Sequence, residues 1–262
     1  MMRRSELLLP LLLAMGLGSC SVKENRLDCP CLLELDVSGG ELDRDVFSVW
    51  ERGMELCDTL RLEDGIASYV CEIPKGMPTL AVWSGEDRCV RAGTCLTVPE
   101  GEEMDEIYAW SERVDSRAES ISRRALLHRQ FAYIHLTVAF QNGEESPFLL
   151  RLSGNVAGMD LASLDPVPGG FEVSFLPVVG DYHRICVPRQ KDDSLILEFR
   201  SRSAPENEPE GSFPLGEYIR EAGYDWSAPD LADIYVDLDY VRAGISVRIE
   251  EWKKGQVQNE TI

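Results

Sequence analysis

Chemistry in this chain would have to come from thiols, carboxylates or aromatic faces, because histidine is scarce. The three histidines are His128, His135 and His183, widely spaced. That weakens the case for zinc centres and for His-based nucleophile triads. No Gly-x-Ser-x-Gly elbow, phosphate-binding glycine loop or His-Glu-x-x-His helix occurs. No catalytic, metal-ligating or cofactor-binding residue is therefore assigned. Asp237 and Asp239 sit two apart on a strand and share a face, since Leu238 points the other way. Such a pair could hold calcium or serve glycosidic chemistry, but a solvated strand face is the favoured reading. Trp110, Trp226 and Trp252 could stack on a sugar, but core or rim packing is favoured.

The thiols are the remaining chemistry. After Cys20 come Cys29, Cys31, Cys57, Cys71, Cys89, Cys95 and Cys186, an odd number that cannot all pair within one chain. Cys57 with Cys71 is the best pair. A loop Glu63-Asp64-Gly65 with Gly65 left-handed would set Leu62 opposite Ile66, and the same register sets Cys57 opposite Cys71. A bridge there would contribute ~3 kcal/mol. Cys89 and Cys95 flank a short Gly-containing loop and form a second candidate pair. Free thiols packed as small hydrophobes remain the open alternative. Cys29-Pro30-Cys31 has one residue between its thiols, which is neither thioredoxin nor zinc-ribbon spacing.

Cys20 stands apart, because of what precedes it. Arg3 and Arg4 open the chain, Leu7 to Ala14 are apolar apart from Pro10, and Leu17-Gly18-Ser19-Cys20 follows. The apolar run is too short for a ~20-residue membrane span, so residues 1–19 read as a removable leader. Leu-Gly-Ser-Cys resembles the lipobox of bacterial lipoproteins, which implies that the Cys20 thiol carries lipid. Several acyl chains at ~0.8 kcal/mol per buried CH₂ anchor a protein stably. An ordinary secretory leader is the alternative. Ser21-Val22-Lys23-Glu24-Asn25 resembles the surface-export signal of Bacteroidota lipoproteins, with Asn25 departing from its acidic pattern. Surface display on the outer membrane is expected, and retention on the membrane's inner face is the alternative.

Alternation of apolar and polar residues dominates the rest. Leu33, Leu35 and Val37 open it. Val46–Trp50, Met54–Leu62, Ile66–Ile73 and Pro78–Trp83 read as short strands, with 54–62 and 66–73 forming a hairpin. Residues 100–127 read as irregular connections with one short helix, closing a first domain. A new set of strands begins at Phe131, with Ile134, Leu136, Val138 and Phe140 on one face. The alternate residues Phe148, Leu150 and Leu152 show the same period, as do Phe171, Val173 and Phe175, and Leu195, Leu197 and Phe199. Ile234, Val236, Leu238 and Tyr240 follow, and then Ile245, Val247 and Ile249. Leu215, Tyr218 and Ile219 have helical spacing, with Pro214 suited to the first turn. Ser203 to Gly211 has the composition of a surface loop. The expected class is all-β: two tandem β-sandwiches, residues 20–126 and 127–262, with few short helices. With 44% hydrophobic residues the chain can build packed cores. Its 46 acidic against 26 basic residues give a formal charge of −20, and the densest basic run, Arg117 to Arg129, is interrupted by Glu119. Nucleic acid is therefore excluded as a partner.

Taken in order, several segments resemble the fimbrillin-A-associated anchor lipoproteins of Bacteroidota, of the minor-fimbria anchor type. They are Leu27-Asp28-Cys29-Pro30 after the lipobox, Val46-Phe47-Ser48-Val49-Trp50-Glu51-Arg52-Gly53, and Ile73-Pro74-Lys75-Gly76 with Leu80-Ala81-Val82-Trp83-Ser84-Gly85. Ile107-Tyr108-Ala109, Leu127-His128-Arg129-Gln130-Phe131, Leu231-Ala232-Asp233-Ile234 and Ile249-Glu250-Glu251-Trp252 follow. Met77-Pro78 and the many cysteines depart from the family pattern. The resemblance implies two tandem transthyretin-like sandwiches, no enzymatic activity, and a fimbrial anchor or nucleator that contacts fimbrillin subunits or accessory proteins. It implies joining by strand complementation, in which an added strand supplies main-chain hydrogen bonds and apolar plugs. Polymerising relatives are cut after an arginine, and Arg26 and Arg44 lie near the first strand, which leaves processing there open, although an anchor is expected to keep that strand attached. Asp58-Thr59-Leu60 and Asp193-Ser194-Leu195 resemble the O-glycosylation pattern of this lineage, which makes Thr59 and Ser194 candidate acceptors. The sequon Asn259-Glu260-Thr261 would not meet its machinery in a lipobox protein. The rival function is a surface glycan-binding lipoprotein of a nutrient-uptake system.

Overall fold

The computed structural model describes residues 29–38, 45–51, 53–60, 66–139, 148–176, 182–239 and 244–251. The expected leader (residues 1–19), Cys20, Arg26, Arg44, Trp252 and Asn259 lie outside them. Among the described residues, eighteen strands, numbered along the chain, and one helix make up an all-β, sandwich-like arrangement of four sheets.

A three-stranded sheet has β1 (Cys31–Ser38) at its centre. On one side it pairs antiparallel with β4 (Ile66–Ile73), and on the other parallel with β9 (Ser120–Arg124). The side chains of Cys31, Leu33, Leu35 and Val37 are wholly buried, so the alternation read from sequence is the core-facing side of β1. Facing it is a five-stranded sheet of β2 (Asp45–Glu51), β3 (Met54–Leu60), β5 (Thr79–Ser84), β8 (Tyr108–Arg113) and β10 (His128–Arg129), in the order β10-β8-β5-β2-β3. Phe47, Val49, Leu80 and Val82 fill the space between these two sheets. The other face of β5 and β8 carries Ala81, Trp83 and Ala109 into a second, larger core. This sheet is covered on both faces, and that is why Leu80-Ala81-Val82-Trp83 reads as a continuous apolar run.

The larger core lies between two more sheets. One has the order β14-β11-β17-β18, from β11 (Phe131–Ala139), β14 (Tyr182–Pro188), β17 (Asp233–Asp239) and β18 (Gly244–Glu250). The other centres on the long β12 (Phe148–Asp160), which pairs with β13 (Pro166–Phe175) on one edge and β15 (Ile196–Ser201) on the other. Outside β15 lies β16 (Gly211–Phe213). Ile134, Leu136 and Val138 point into this core as expected. The two halves are interleaved: β6 (Val90–Ala92) and β7 (Cys95–Thr97) extend the sheet of β12, while β10 extends the sheet of β8. The segment before β6 is tied down by buried Asp105, whose Oδ2 accepts the N–H groups of Asp87, Arg88 and Cys89 at 2.9, 2.9 and 2.7 Å.

Helix α1 (Leu215–Glu221) buries Leu215 and Ile219, with Pro214 as its N-cap rather than its first helical residue. A Cβ at Gly216 would sit 2.3 Å from the Asp193 carbonyl oxygen, so glycine is required for this close approach. Two local expectations are corrected. Residues 108–113 and 120–124 are strands, not irregular chain with a helix. On β9 only Ile121 packs against the core, so the strand shows little apolar signal. Strands β3 and β4 do not form a hairpin; each is an edge of a different sheet.

Candidate docking surface

With β3 and β4 apart, the Cys57–Cys71 bridge loses its geometry. Cys57 lies cross-strand from Ser48, on the face of β3 that points away from the first core. Cys71 lies cross-strand from Leu33 and packs against that core. Side chains on opposite sides of an edge strand cannot bond without moving the backbone, and both are free thiols. Burial pushes the Cys71 thiol up to about 11. The second candidate pair also fails. The Cys89 thiol is buried against Met104 Sδ at 3.8 Å, while Cys95 Sγ lies 3.9 Å from Asp160 Oδ2. Cys89 is pushed up to about 12 by desolvation. Burial also raises the pKa of Cys31 and Cys186, which leaves them unreactive apolar fillers.

The two edge strands nonetheless define a surface. Tyr69 on β4 donates its hydroxyl to Asp58 Oδ2 on β3 at 2.6 Å, and its ring centroid lies 5.2 Å from that of Phe47. Both edges are therefore on the same side of the first sandwich. The Tyr69 hydroxyl, and then the Thr59 N–H, hold the Asp58 carboxyl below its usual range. Leu56 lies cross-strand from buried Val49 and faces inward, yet it is 52% exposed. An inward-facing leucine that meets solvent marks a place where the mouth between the sheets is unfilled. The far side is closed: residues 125–127 cross from β9 to β10 with Ala125 and Leu127 buried, and Arg123 Nε meets Glu112 Oε1 at 3.0 Å. A strand laid along β3 would find main-chain groups that pair with no other described strand and could place an apolar side chain over Leu56.

Asp45 at the start of β2 was not singled out by sequence. Its carboxyl is fully buried, with neither oxygen hydrogen-bonded. Desolvation raises its pKa, and the neighbouring Ser84 hydroxyl opposes part of the rise. A single polar residue at a strand end carries no sequence signal of that burial.

The other candidates are dispersed. Thr59 is exposed on β3, whereas the Ser194 hydroxyl is engaged with Asn155 Oδ1 at 2.7 Å. Asp237 is exposed and Asp239 half-buried on the outer face of β17. Among the described residues no group of three or more His, Cys, Asp or Glu is placed to hold a metal ion. Trp110 packs against the first core, and Trp226 against the second at the rim of a groove. No helix of the described residues is long and apolar enough to cross a membrane.

No family model and no curated protein matches the chain. Solved structures do. The fimbrial anchor protein Mfa2 from Porphyromonas gingivalis aligns with 86% of this chain and 98% of its own, at 12% identity and a TM-score of 0.57. A Bacteroides thetaiotaomicron protein suggested to bind polysaccharide aligns with 87% of this chain and 99% of its own, at 12% identity and a TM-score of 0.57. A proposed adhesin from the same organism aligns at 10% identity over 86% of this chain and 97% of its own, with a TM-score of 0.56. At such identities the likeness establishes the fold, which is that of fimbrial and adhesin β proteins of Bacteroidota.

Proposed function

We propose that this protein is a lipoprotein of the outer membrane, held by lipid on Cys20 and displayed at the cell surface, that anchors or nucleates a fimbria through strand complementation. The observation that carries the reading is its near end-to-end likeness to a fimbrial anchor, behind a leader ending in Leu17-Gly18-Ser19-Cys20. The role is adhesive and structural rather than enzymatic, and the partners are fimbrial subunits or accessory proteins.

The first sandwich supports a terminal position in such an assembly. Strand β1 occupies the centre of its sheet and fills the core with Cys31, Leu33, Leu35 and Val37. Among the described residues no strand position is vacant there, so a partner adds at an edge, for which the β3/β4 mouth is the best-suited site. Cleavage after Arg44 would leave β1 joined to the lipid and the remainder held only by strand pairing. An anchor therefore retains that bond. Replacing Cys20 by Ala tests the reading, once export of the variant is established. Fimbriae released into the medium are expected, and fimbriae that stay attached in normal number would overturn it. N-terminal mapping of the membrane-extracted protein should show residues 21–44 continuous with the rest.

A further inference from the structure

We propose that the groove beside Trp226 is a binding site for a neutral carbohydrate, a second function on the opposite half of the molecule from the β3/β4 mouth. The groove encloses about 520 Å³, within the ~300–1,000 Å³ of small-ligand clefts. Four segments converge on it: β10 with the residue after it, the turn before β13, the residues after β14, and the stretch that follows α1.

That stretch is locked in place. Arg189 lies under it and donates to the carbonyl oxygens of Trp226, Ala228 (2.8 Å) and Pro229 (3.2 Å), and to Gln130 Oε1 (3.3 and 3.1 Å). Every guanidinium donor is spent on the frame, so Arg189 positions the wall and leaves ligand contact to others. The Trp226 ring is braced against Tyr224 at 4.5 Å between centroids. Its orientation is thus set before a ligand arrives, which reduces the entropic cost of binding.

The unspent groups define the ligand. Asp165 and Lys191 are exposed at the rim, and their side chains form no hydrogen bond or ion pair with the described residues. Gln190 is 2% exposed, its Nε2 donates to the Pro188 carbonyl at 2.7 Å and its Oε1 lies beside Gly154, away from solvent, so ligand contact falls to Asp165 and Lys191. The turn bearing Asp165 contains Leu164 at φ 62°, the one non-glycine residue of positive φ among the described residues. Such strain is held here by Leu164 N–H to Asp160 O at 2.7 Å and Asp160 N–H to Asp165 O at 2.9 Å. A fixed indole beside one carboxylate and one ammonium offers an apolar platform with an acceptor and a donor. A pyranose matches this, with a C–H face for the ring and hydroxyls that donate and accept. Lys191 faces the carboxylate of Asp192 as well as the rim with Asp165, so the rim carries no net positive charge, and the chain's charge of −20 disfavours acidic ligands.

The test is calorimetric titration of residues 21–262 with neutral α-glucan, α-mannan, β-N-acetylglucosamine and β-galactoside oligosaccharides, with sialylated and sulfated counterparts alongside. At least one neutral oligosaccharide should bind with Kd between about 10 µM and 1 mM. Asp165→Ala and Lys191→Ala, both at exposed positions, should each weaken it about tenfold or more, and Trp226→Ala further, while Thr59→Ala leaves it unchanged. The proposal is overturned by no binding at about 10 mM, by affinity unchanged in both rim variants, or by a preference for the acidic glycans. Fimbrial attachment in an Asp165→Ala strain separates this site from the anchoring role: it should stay normal.

Discussion

The junction of the two halves turns on one buried cation, and its removal should be costly. Arg129 on β10 is 2% exposed at its side chain. Its Nη2 donates to Asp233 Oδ1 on β17 at 2.5 Å, and its guanidinium carbon lies 4.4 Å from the Phe131 ring centroid. Asp230 reinforces the contact by accepting the Arg129 N–H at 2.8 Å and approaching His128 Nδ1 at 3.0 Å. Breaking a buried pair from one side costs about 3–5 kcal/mol. Asp233 is 25% exposed and can partly rehydrate, so Arg129→Met should lose about 3 kcal/mol, the lower part of that range. Asp233→Leu should lose a similar amount, because it strands the wholly buried guanidinium. The double variant Arg129→Met/Asp233→Leu should recover at least about 2 kcal/mol of the summed loss. Urea unfolding followed by tryptophan fluorescence and circular dichroism supplies the cycle. Single-variant losses below about 1 kcal/mol, or strict additivity, would refute the reasoning. The pH dependence gives a second check. Burial alone would raise the pKa of Asp233, but His135 and Arg129 outweigh it and the pKa is lowered. The stabilisation is therefore complete above the ordinary carboxylate pKa of about 3.9 and fades as pH falls through the folded-state value. Wild type and Arg129→Met should converge below about pH 4.

Asp45→Asn should stabilise the protein at neutral pH. The raised pKa of buried Asp45 means that its acid form suits the fold. Its contribution to wild-type stability is therefore greatest below the unfolded-state pKa and is lost as pH rises through the folded-state value. Unfolding curves from pH 4 to 8 should show the gap to the Asn variant widening, and a constant gap would contradict the assignment. Leu56→Lys should change stability by no more than about 0.5 kcal/mol while removing capture of purified fimbrial subunits by the immobilised protein; undiminished capture would move docking to another edge. Cys29 and Cys57, both exposed, should react readily with a thiol reagent in the native protein, and Cys31, Cys89 and Cys186 only after denaturation. A Cys57–Cys71 linked peptide in a non-reducing digest would refute the sheet assignment.

Local chemistry made much of this molecule legible. Period-two alternation in Leu33, Leu35 and Val37, and in Ile134, Leu136 and Val138, reports which side chains leave water, and the structure buries both sets. Helical spacing located α1. Strand β9 escaped because an edge strand with one apolar contact has no period to detect, and β8 because its two faces meet different cores, Ala109 one and Trp110 the other. The Trp226 groove escaped as well: its lining comes from positions as far apart as His128, Asp165, Lys191 and Trp226.

The sequence by itself determined that the chain is predominantly β and strongly acidic. These follow from composition and from side-chain direction along a strand, both local properties. Only the tertiary structure decided which strand lies beside which. The alternation that puts Cys57 and Cys71 in register across a notional hairpin is equally satisfied with β3 beside β2 and β4 beside β1. A strand's pattern states which face is buried but not against what. The choice fell to the packing of whole sheets, which put β1 between β4 and β9 and left β3 and β4 as facing edges.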